Sequence, residues 1–195
     1  MNSHENYDLL KALKDAEKER RFLHTEVHGI TYVFDPLYER TVGVYGSPMA
    51  PVSGKDDEYV GNWPNPFKLR HRHGAKKGNF SNGHILAHNN GGIDEGINIF
   101  VQDRLENQKA SKPYQQAEAA AKAYNTKSFN IELLYEGSHL LTDIPSKIIY
   151  TIHKKDAADP IVYEIDNPPN ELPSMLVKSY QDYLENKLKR NFIGK

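Results

Sequence analysis

The pattern of apolar and polar residues predicts a helix at each end of the chain and strands between them. Residues 5–22 place leucine and alanine side chains on one helical face and charged residues on the other, and residues 171–192 repeat this pattern. Residues 26–35 and 40–46 alternate and are rich in β-branched and aromatic residues. They predict two strands of a hairpin, joined by a short connection.

The second half of the chain predicts further strands and one internal helix. HILAH (84–88) and INIFV (97–101) are typical of strands and flank a glycine-rich turn. A helix is expected from Pro113 to about residue 124, because proline is tolerated in the first helical turn. Three more strands are expected over 128–137, 146–155 and 160–165.

This order of elements predicts the fold class. Strands follow strands without regular helical crossovers, so we expect an α+β fold with a central, mainly antiparallel sheet and flanking helices. We expect a helical N-terminal extension over residues 1–25, a central domain over 26–166, and a C-terminal helix packed on that domain over 167–195.

Composition limits the kinds of site that the chain can contain. The 195 residues are 38% hydrophobic and 26% charged, which is typical of a globular domain. The absence of cysteine excludes disulfides, thiolate metal sites and a cysteine nucleophile. The sequence shows neither a secretory signal nor a run long enough to span a bilayer. We therefore expect a soluble chain made in the cytoplasm, without a membrane partner and open to export by a signal-independent route.

Basic residues are concentrated in one part of the chain, although the net charge is only −1. Residues 47–75 are expected to form a long loop, and loops of this length usually have a function. Arg70, Arg72, Lys76 and Lys77 lie in and just after its end. Such a run can neutralise phosphates locally without reading base edges, so it predicts contacts to nucleic acid with little sequence preference.

Four histidines, His71, His73, His84 and His88, are candidate acid–base groups or metal ligands. Three interpretations are open. In the first, the histidines are structural. In the second, the HxH and HxxxH spacings hold zinc, although strand positions four apart lie about 13 Å from each other. In the third, His84 belongs to a longer catalytic motif.

The third interpretation depends on residues 79–108, NFSNGHILAHNNGGIDEGINIFVQDRLENQ. A Gly83–His84 pair is followed by two glycines, by an Asn98-Ile-x-x-Gln102 unit and by Asn107. In this order and spacing the residues resemble the DNA/RNA non-specific endonuclease family of the ββα-metal superfamily. The flanking strands and a helical Tyr-x-x-x-Glu ending at Glu118 agree with that family, and the resemblance spans about residues 30–155.

The resemblance implies a function and a set of site residues. The family hydrolyses DNA and RNA phosphodiesters with one Mg²⁺ ion, for which Mn²⁺ can substitute. His84 would be the general base that activates water, and Asn107 would bind the metal. Asn98 would brace the catalytic loop or a metal-bound water, and Glu118 would support the metal-bound waters. A neutral asparagine ligand suits this chemistry, because it leaves the full charge of the ion for the phosphate.

Two positions depart from the family. Ser81 and Asn82 stand where the family has aspartate and arginine. The departure leaves open an alternative, in which a degenerate nuclease fold binds nucleic acid or a protein without cutting. The expected nucleic-acid contacts are Arg70, Arg72, Lys76, Lys77 and Asn82.

The resemblance also implies a biological setting. Small domains of this family often serve as toxic tips of secreted antibacterial effectors, each paired with an immunity protein. We therefore expect DNA and RNA as substrates and a cognate immunity protein as a partner.

Overall fold

The computed structural model describes residues 21–49, 80–103, 113–122, 125–136 and 143–167, together with the single positions 178, 182 and 186. The predicted N-terminal helix and the predicted long loop lie almost wholly outside these residues. Most of the predicted C-terminal helix also lies outside them, and the three single positions within it are helical. Among the described residues, no helix is long and apolar enough to cross a membrane.

Six strands form the main sheet. They are Leu23–Val27 (β1), Ile30–Asp35 (β2), Arg40–Gly46 (β3), Thr126–Leu134 (β6), Lys147–Lys154 (β7) and Ile161–Asp166 (β8). The order across the sheet is β1-β2-β3-β6-β7-β8, and every neighbouring pair is antiparallel. The predicted mainly antiparallel sheet and the α+β class are therefore confirmed.

A second, smaller sheet lies between β3 and β6 in the sequence. Phe80–His84 (β4) and Ile99–Asp103 (β5) pair as an antiparallel hairpin, and helix α1 follows over Pro113–Lys122. The chain thus runs strand, loop, strand and helix through the segment that contains the predicted site.

The prediction of one continuous strand over residues 26–35 is wrong. A tight turn at His28 and Gly29, with φ of 50° and 72°, divides the segment into β1 and β2. Two successive positive φ values match a hairpin turn whose twist suits the flanking strands. The sheet consequently begins at Leu23.

The strand predicted at 84–88 is also wrong. The observed strand β4 ends at His84, and the chain then enters a 3₁₀ turn at His88–Asn90. Ile85 and Leu86, whose apolar character suggested a strand, are fully buried in the main core. Their hydrophobicity thus reflects a loop that folds into the core. Strand spacing therefore does not exclude a shared metal for His84 and His88.

Helix α1 joins the two sheets. Pro113 begins the helix, and the alanines that follow favour helical backbone. Tyr114, Ala117 and Ala121 are buried on one face, which packs against β6, β7, β8 and the 3₁₀ turn. Small alanine side chains allow a close approach, which brings the helix against the segment that follows β4.

Arg40, the first residue of β3, is a buried arginine. The Arg40 guanidinium carbon lies 4.4 Å from the ring centroid of Tyr38 and 3.6 Å from that of Tyr135. Asp35 and Asp143 are also buried, and both act electrostatically on Tyr135 together with Arg40. Burial raises the pKa of Tyr135 above its ordinary value, and the nearby arginine offsets only part of this rise. A charged group so deep in the core stabilises the fold only while its partners remain in place.

We expect Arg40→Ala to lower the free energy of unfolding by about 3–5 kcal/mol, because the change removes a buried cation that packs on two aromatic rings in a region with two buried carboxyl groups. Chemical denaturation would measure the loss. Lys127→Ala, at an exposed position on β6, is the control and should change stability by less than about 0.5 kcal/mol. Equal stability of the two variants would contradict a structural role for the arginine.

Candidate functional site

His84 is the last residue of β4 and lies opposite Ile99 of β5. The preceding Gly83 is required by packing. A Cβ atom there would lie 2.5 Å from both Gln102 Oε1 and a ring carbon of Phe100. Any side chain at this position would displace the side chains of Gln102 and Phe100, so the Gly–His pair lies at a tightly packed strand end.

The His84 side chain is 38% exposed and faces a carboxylate. Its Nε2 lies 3.2 Å from Oδ1 of Asp94, whose own side chain is 79% exposed. When Nε2 carries the proton and donates to Asp94, Nδ1 is left as the acceptor. A carboxylate that orients a histidine in this way favours a single tautomer, as a general base requires.

Asn98 organises the loop between β4 and β5. Its Nδ2 donates to the backbone oxygens of Leu86 and Ile93 at 3.0 and 2.7 Å, and its Oδ1 accepts from Leu86 N–H at 2.9 Å. Its backbone oxygen also accepts from Ile85 N–H at 2.8 Å. Asn98 is fully buried. The amide is therefore occupied in bracing the loop behind His84.

Gly92 makes this brace possible. A Cβ atom at Gly92 would lie 1.9 Å from the Leu86 backbone oxygen and 2.9 Å from Asn98 Nδ2. Gly91 ends the 3₁₀ turn in the left-handed region with φ of 95°, a conformation that glycine adopts without strain. The two glycines thus have separate backbone functions. His88 adds a bond within the same turn, since its Nδ1 lies 3.2 Å from the Gly92 oxygen.

Glu118 lies half-buried on α1, one helical turn after Tyr114. Burial raises the pKa of its carboxyl from 4.5 to about 7. Its backbone oxygen accepts from Asn90 Nδ2 at 3.1 Å, which ties the helix to the 3₁₀ turn. Glu118 also acts electrostatically on the hydroxyl groups of Tyr114 and Tyr150.

Those two tyrosines contact the backbone at the end of β4. The Tyr114 hydroxyl donates to the His84 oxygen, and the Tyr150 hydroxyl donates to the Ile85 oxygen at 2.7 Å. Sequence reasoning missed both roles, as it missed that of Asp94. The helical Tyr-x-x-x-Glu spacing does place Tyr114 and Glu118 on one face, but nothing local in the sequence points to Tyr150 on β7.

The structure places four of the nine predicted site residues. His84 and Asn82 lie on β4 two positions apart, so they share one face of the hairpin, and Asn82 is exposed. Asn98 braces the loop that follows β4, and Glu118 lies on α1 near the hydroxyl groups of Tyr114 and Tyr150. The predicted residues Arg70, Arg72, Lys76, Lys77 and Asn107 lie outside the described residues.

Oxygen ligands that suit a cation occur beside His84 and where the 3₁₀ turn meets α1. Asp94 contacts His84, Glu118 lies on α1, and the buried Oδ1 of Asn90 in the turn has no hydrogen-bond partner. Mg²⁺ prefers such oxygen ligands and retains several waters. Within the described part of the chain, no three His, Cys, Asp or Glu side chains cluster to hold a metal by themselves. A cation here would therefore depend on water and on further ligands.

No family model and no curated protein sequence matches this chain. Solved structures similar to it include NucA from Streptococcus agalactiae with magnesium bound, at 15% identity and a TM-score of 0.46 over 82% of this chain and 88% of that one. The Sda1 nuclease with bound zinc matches at 14% identity and a TM-score of 0.49, over 76% and 84% of the two chains. NucA without metal matches at 14% identity and a TM-score of 0.46. At these values the likeness establishes neither family nor activity, which depend on the residues of this chain.

We expect Asn98→Ala to lower the free energy of unfolding by about 2–4 kcal/mol, because it leaves buried backbone groups of Leu86 and Ile93 without partners. Thermal or chemical denaturation would measure the loss. Asn130→Ala removes an exposed amide, bonded to Glu132 on β6, and should change stability little. A loss no greater at position 98 than at position 130 would contradict the bracing role.

Glu118 predicts a pH dependence of stability in metal-free protein. Between pH 4.5 and about 7 the folded protein retains a proton that the unfolded chain has lost. The stabilisation from this group is therefore fully present below pH 4.5 and is lost as pH rises through about 7. Glu118→Gln should gain stability relative to the parent over this range, by on the order of 1–2 kcal/mol after allowance for partial solvation.

Denaturant titrations in EDTA at several pH values would measure this difference. Glu26→Gln, a matched change at an exposed carboxylate on β1, is the control. A difference between the Glu118 variant and the parent that stays constant from pH 4.5 to 7 would show that burial does not perturb this carboxyl.

Proposed function

We propose that the chain is a metal-dependent nuclease that hydrolyses phosphodiesters, with His84 as the general base. The observation that carries this proposal is the placement of His84. Its ring is partly open to solvent, while its backbone oxygen and the N–H of the following Ile85 are both hydrogen-bonded. A rigid, accessible imidazole at the end of a strand is suited to take a proton from water.

Three residues around His84 have separate roles in the proposed reaction. Asp94 orients the imidazole through Nε2, so that Nδ1 accepts the proton of the attacking water. Asn98 holds the loop that carries Asp94, because it binds the backbone at Leu86 and Ile93. Asn82, exposed on the same face as His84, is a contact for the phosphate or sugar of the substrate.

We propose Mg²⁺ as the cofactor, with Mn²⁺ as a substitute. Asn107 would be the direct ligand, and Glu118 would hold metal-bound waters. The ion would offset the charge that develops on the leaving oxygen. The observed strand, strand and helix order, with His84 on β4 and Glu118 on α1, supports the assignment to the ββα-metal type.

We propose DNA and RNA as substrates, because contacts to a sugar–phosphate backbone carry no sequence information. The basic residues Arg70, Arg72, Lys76 and Lys77 would neutralise flanking phosphates. The resemblance in sequence supports a role as the toxin domain of a secreted effector with a cognate immunity protein, delivered by a signal-independent route.

A second candidate function is non-catalytic binding. Ser81 and Asn82, at the positions of the family's aspartate and arginine, favour it. Asn82 is exposed beside His84 but carries no charge, so it cannot neutralise a phosphate as an arginine would. In this alternative the fold would retain nucleic acid or a protein partner without cutting.

The two candidates are separated by cleavage of plasmid DNA and of RNA with Mg²⁺, with EDTA, and by His84→Ala. We expect cleavage to require the metal and to fall by about 10²–10⁴-fold in the variant, as for the loss of a general base. His24→Ala, at an exposed position on β1, should cleave like the parent. Intact substrate in every reaction would reject the enzyme, and a mobility shift in the same samples would then support the binding module.

A further inference from the structure

The backbone oxygens of His84 and Ile85, at the end of β4, both accept hydrogen bonds from outside the hairpin. The register with β5 ends at the His84–Ile99 pair. Beyond it, the chain turns into the core, where Ile85 is fully buried. A buried carbonyl requires a hydrogen-bond donor. Both oxygens receive one from a tyrosine, and the two tyrosines come from different elements.

We propose that Tyr114 and Tyr150 are positioning residues for His84. The inference rests on the proposed nuclease function. Tyr114 of α1 donates to the His84 oxygen and Tyr150 of β7 donates to the Ile85 oxygen, the latter at 2.7 Å. Both rings are buried, and they meet edge to face with centroids 5.8 Å apart. The helix and the main sheet together thus fix where the small hairpin presents its imidazole.

The tyrosine pair is suited to this role because it is rigid and remains protonated. Burial raises the pKa of both hydroxyl groups above their ordinary values, and Glu118 raises them further. Both groups therefore act as donors throughout the neutral range. Tyr114 also packs against Phe100 of β5, with ring centroids 6.1 Å apart. The ring that holds the His84 oxygen is consequently held by the partner strand of the same hairpin.

Two sets of contacts then fix His84 from opposite sides. Asn98 holds the loop from within through the backbone of Leu86 and Ile93, and the tyrosines hold the strand end from the helix and the sheet. A base displaced by about 1 Å can lose about a hundredfold in rate. Removing one hydroxyl should therefore reduce turnover while the fold is retained.

The test uses Tyr114→Phe and Tyr150→Phe in the full chain, which keep the rings and remove only the hydroxyls. We expect kcat for Mg²⁺-dependent DNA cleavage to fall about tenfold to a hundredfold at a temperature where each variant is fully folded, with KM unchanged. Tyr135→Phe is the matched control. Its buried hydroxyl bonds a strand carbonyl, that of Thr41 at 3.1 Å, so it should lose stability without loss of kcat.

Combination with His84→Ala distinguishes positioning from general damage. If the tyrosines act through His84, adding either change to His84→Ala should not reduce the residual cleavage further. An unchanged kcat in both single variants would overturn the proposal. So would an equal fall in kcat with and without His84.

A readout without cleavage separates failure of this proposal from failure of the proposed function. In metal-free protein, the imidazole resonances of His84 should shift or broaden in the Phe variants, while those of exposed His153 on β7 should not. If the parent cleaves nothing, the nuclease function fails and this measurement alone decides the positioning role. Unchanged His84 resonances in both variants would overturn it.

Discussion

The structure around the candidate site depends on one buried amide. Asn98 makes three side-chain hydrogen bonds to the backbone, and these close the loop between β4 and β5 on itself. The loop has little regular secondary structure of its own, so its buried polar groups need such partners. Gly92 lies too close to Leu86 to carry a side chain. The loop closed by Asn98 therefore also requires a glycine at position 92. An asparagine and a glycine, separated by five residues, therefore specify one local structure.

A second constraint comes from the place where the chain leaves a strand. The end of β4 is both the point at which His84 becomes accessible and the point at which its carbonyl accepts from a tyrosine. Tyr114 and Tyr150, which lie outside the hairpin, donate hydrogen bonds to the backbone oxygens of His84 and Ile85. These bonds link the position of a candidate base to the packing of α1 and the main sheet, which are remote in sequence.

The sequence was informative where periodicity and turn chemistry decide the structure. The main sheet was predictable from alternating strands, and α1 from Pro113 and the alanines after it. It misled where apolar residues are buried in a loop, since Ile85 and Leu86 have the composition of a strand but lie beyond the end of β4. It also missed the turn at His28 and Gly29, which interrupts an otherwise strand-like run of residues.

For the site, the motif singled out His84, Asn98 and Glu118 as candidates, because their spacing within one segment is local information. Asp94 and Tyr150 could not be predicted in the same way. Asp94 reaches His84 only because the loop closes around Asn98, and Tyr150 reaches Ile85 across 65 residues of sequence. Contacts that depend on tertiary packing cannot be predicted from the spacing of residues in a motif.

The carboxyl groups near the candidate base bear on whether the proposed function needs a cation. The group in direct contact with His84 is the carboxylate of Asp94, and a second carboxyl, Glu118, lies beside the tyrosines that hold the strand end. A phosphodiester brought to His84 would meet the carboxylate of Asp94, and Asn82 adds no positive charge to offset it. A bound divalent ion would supply that charge at the reacting phosphate, and the basic residues between 70 and 77 would supply it along the flanking chain. Under the proposed function, the carboxylate beside His84 is thus a further reason, besides the chemistry of the leaving group, for a divalent ion at the reacting phosphate.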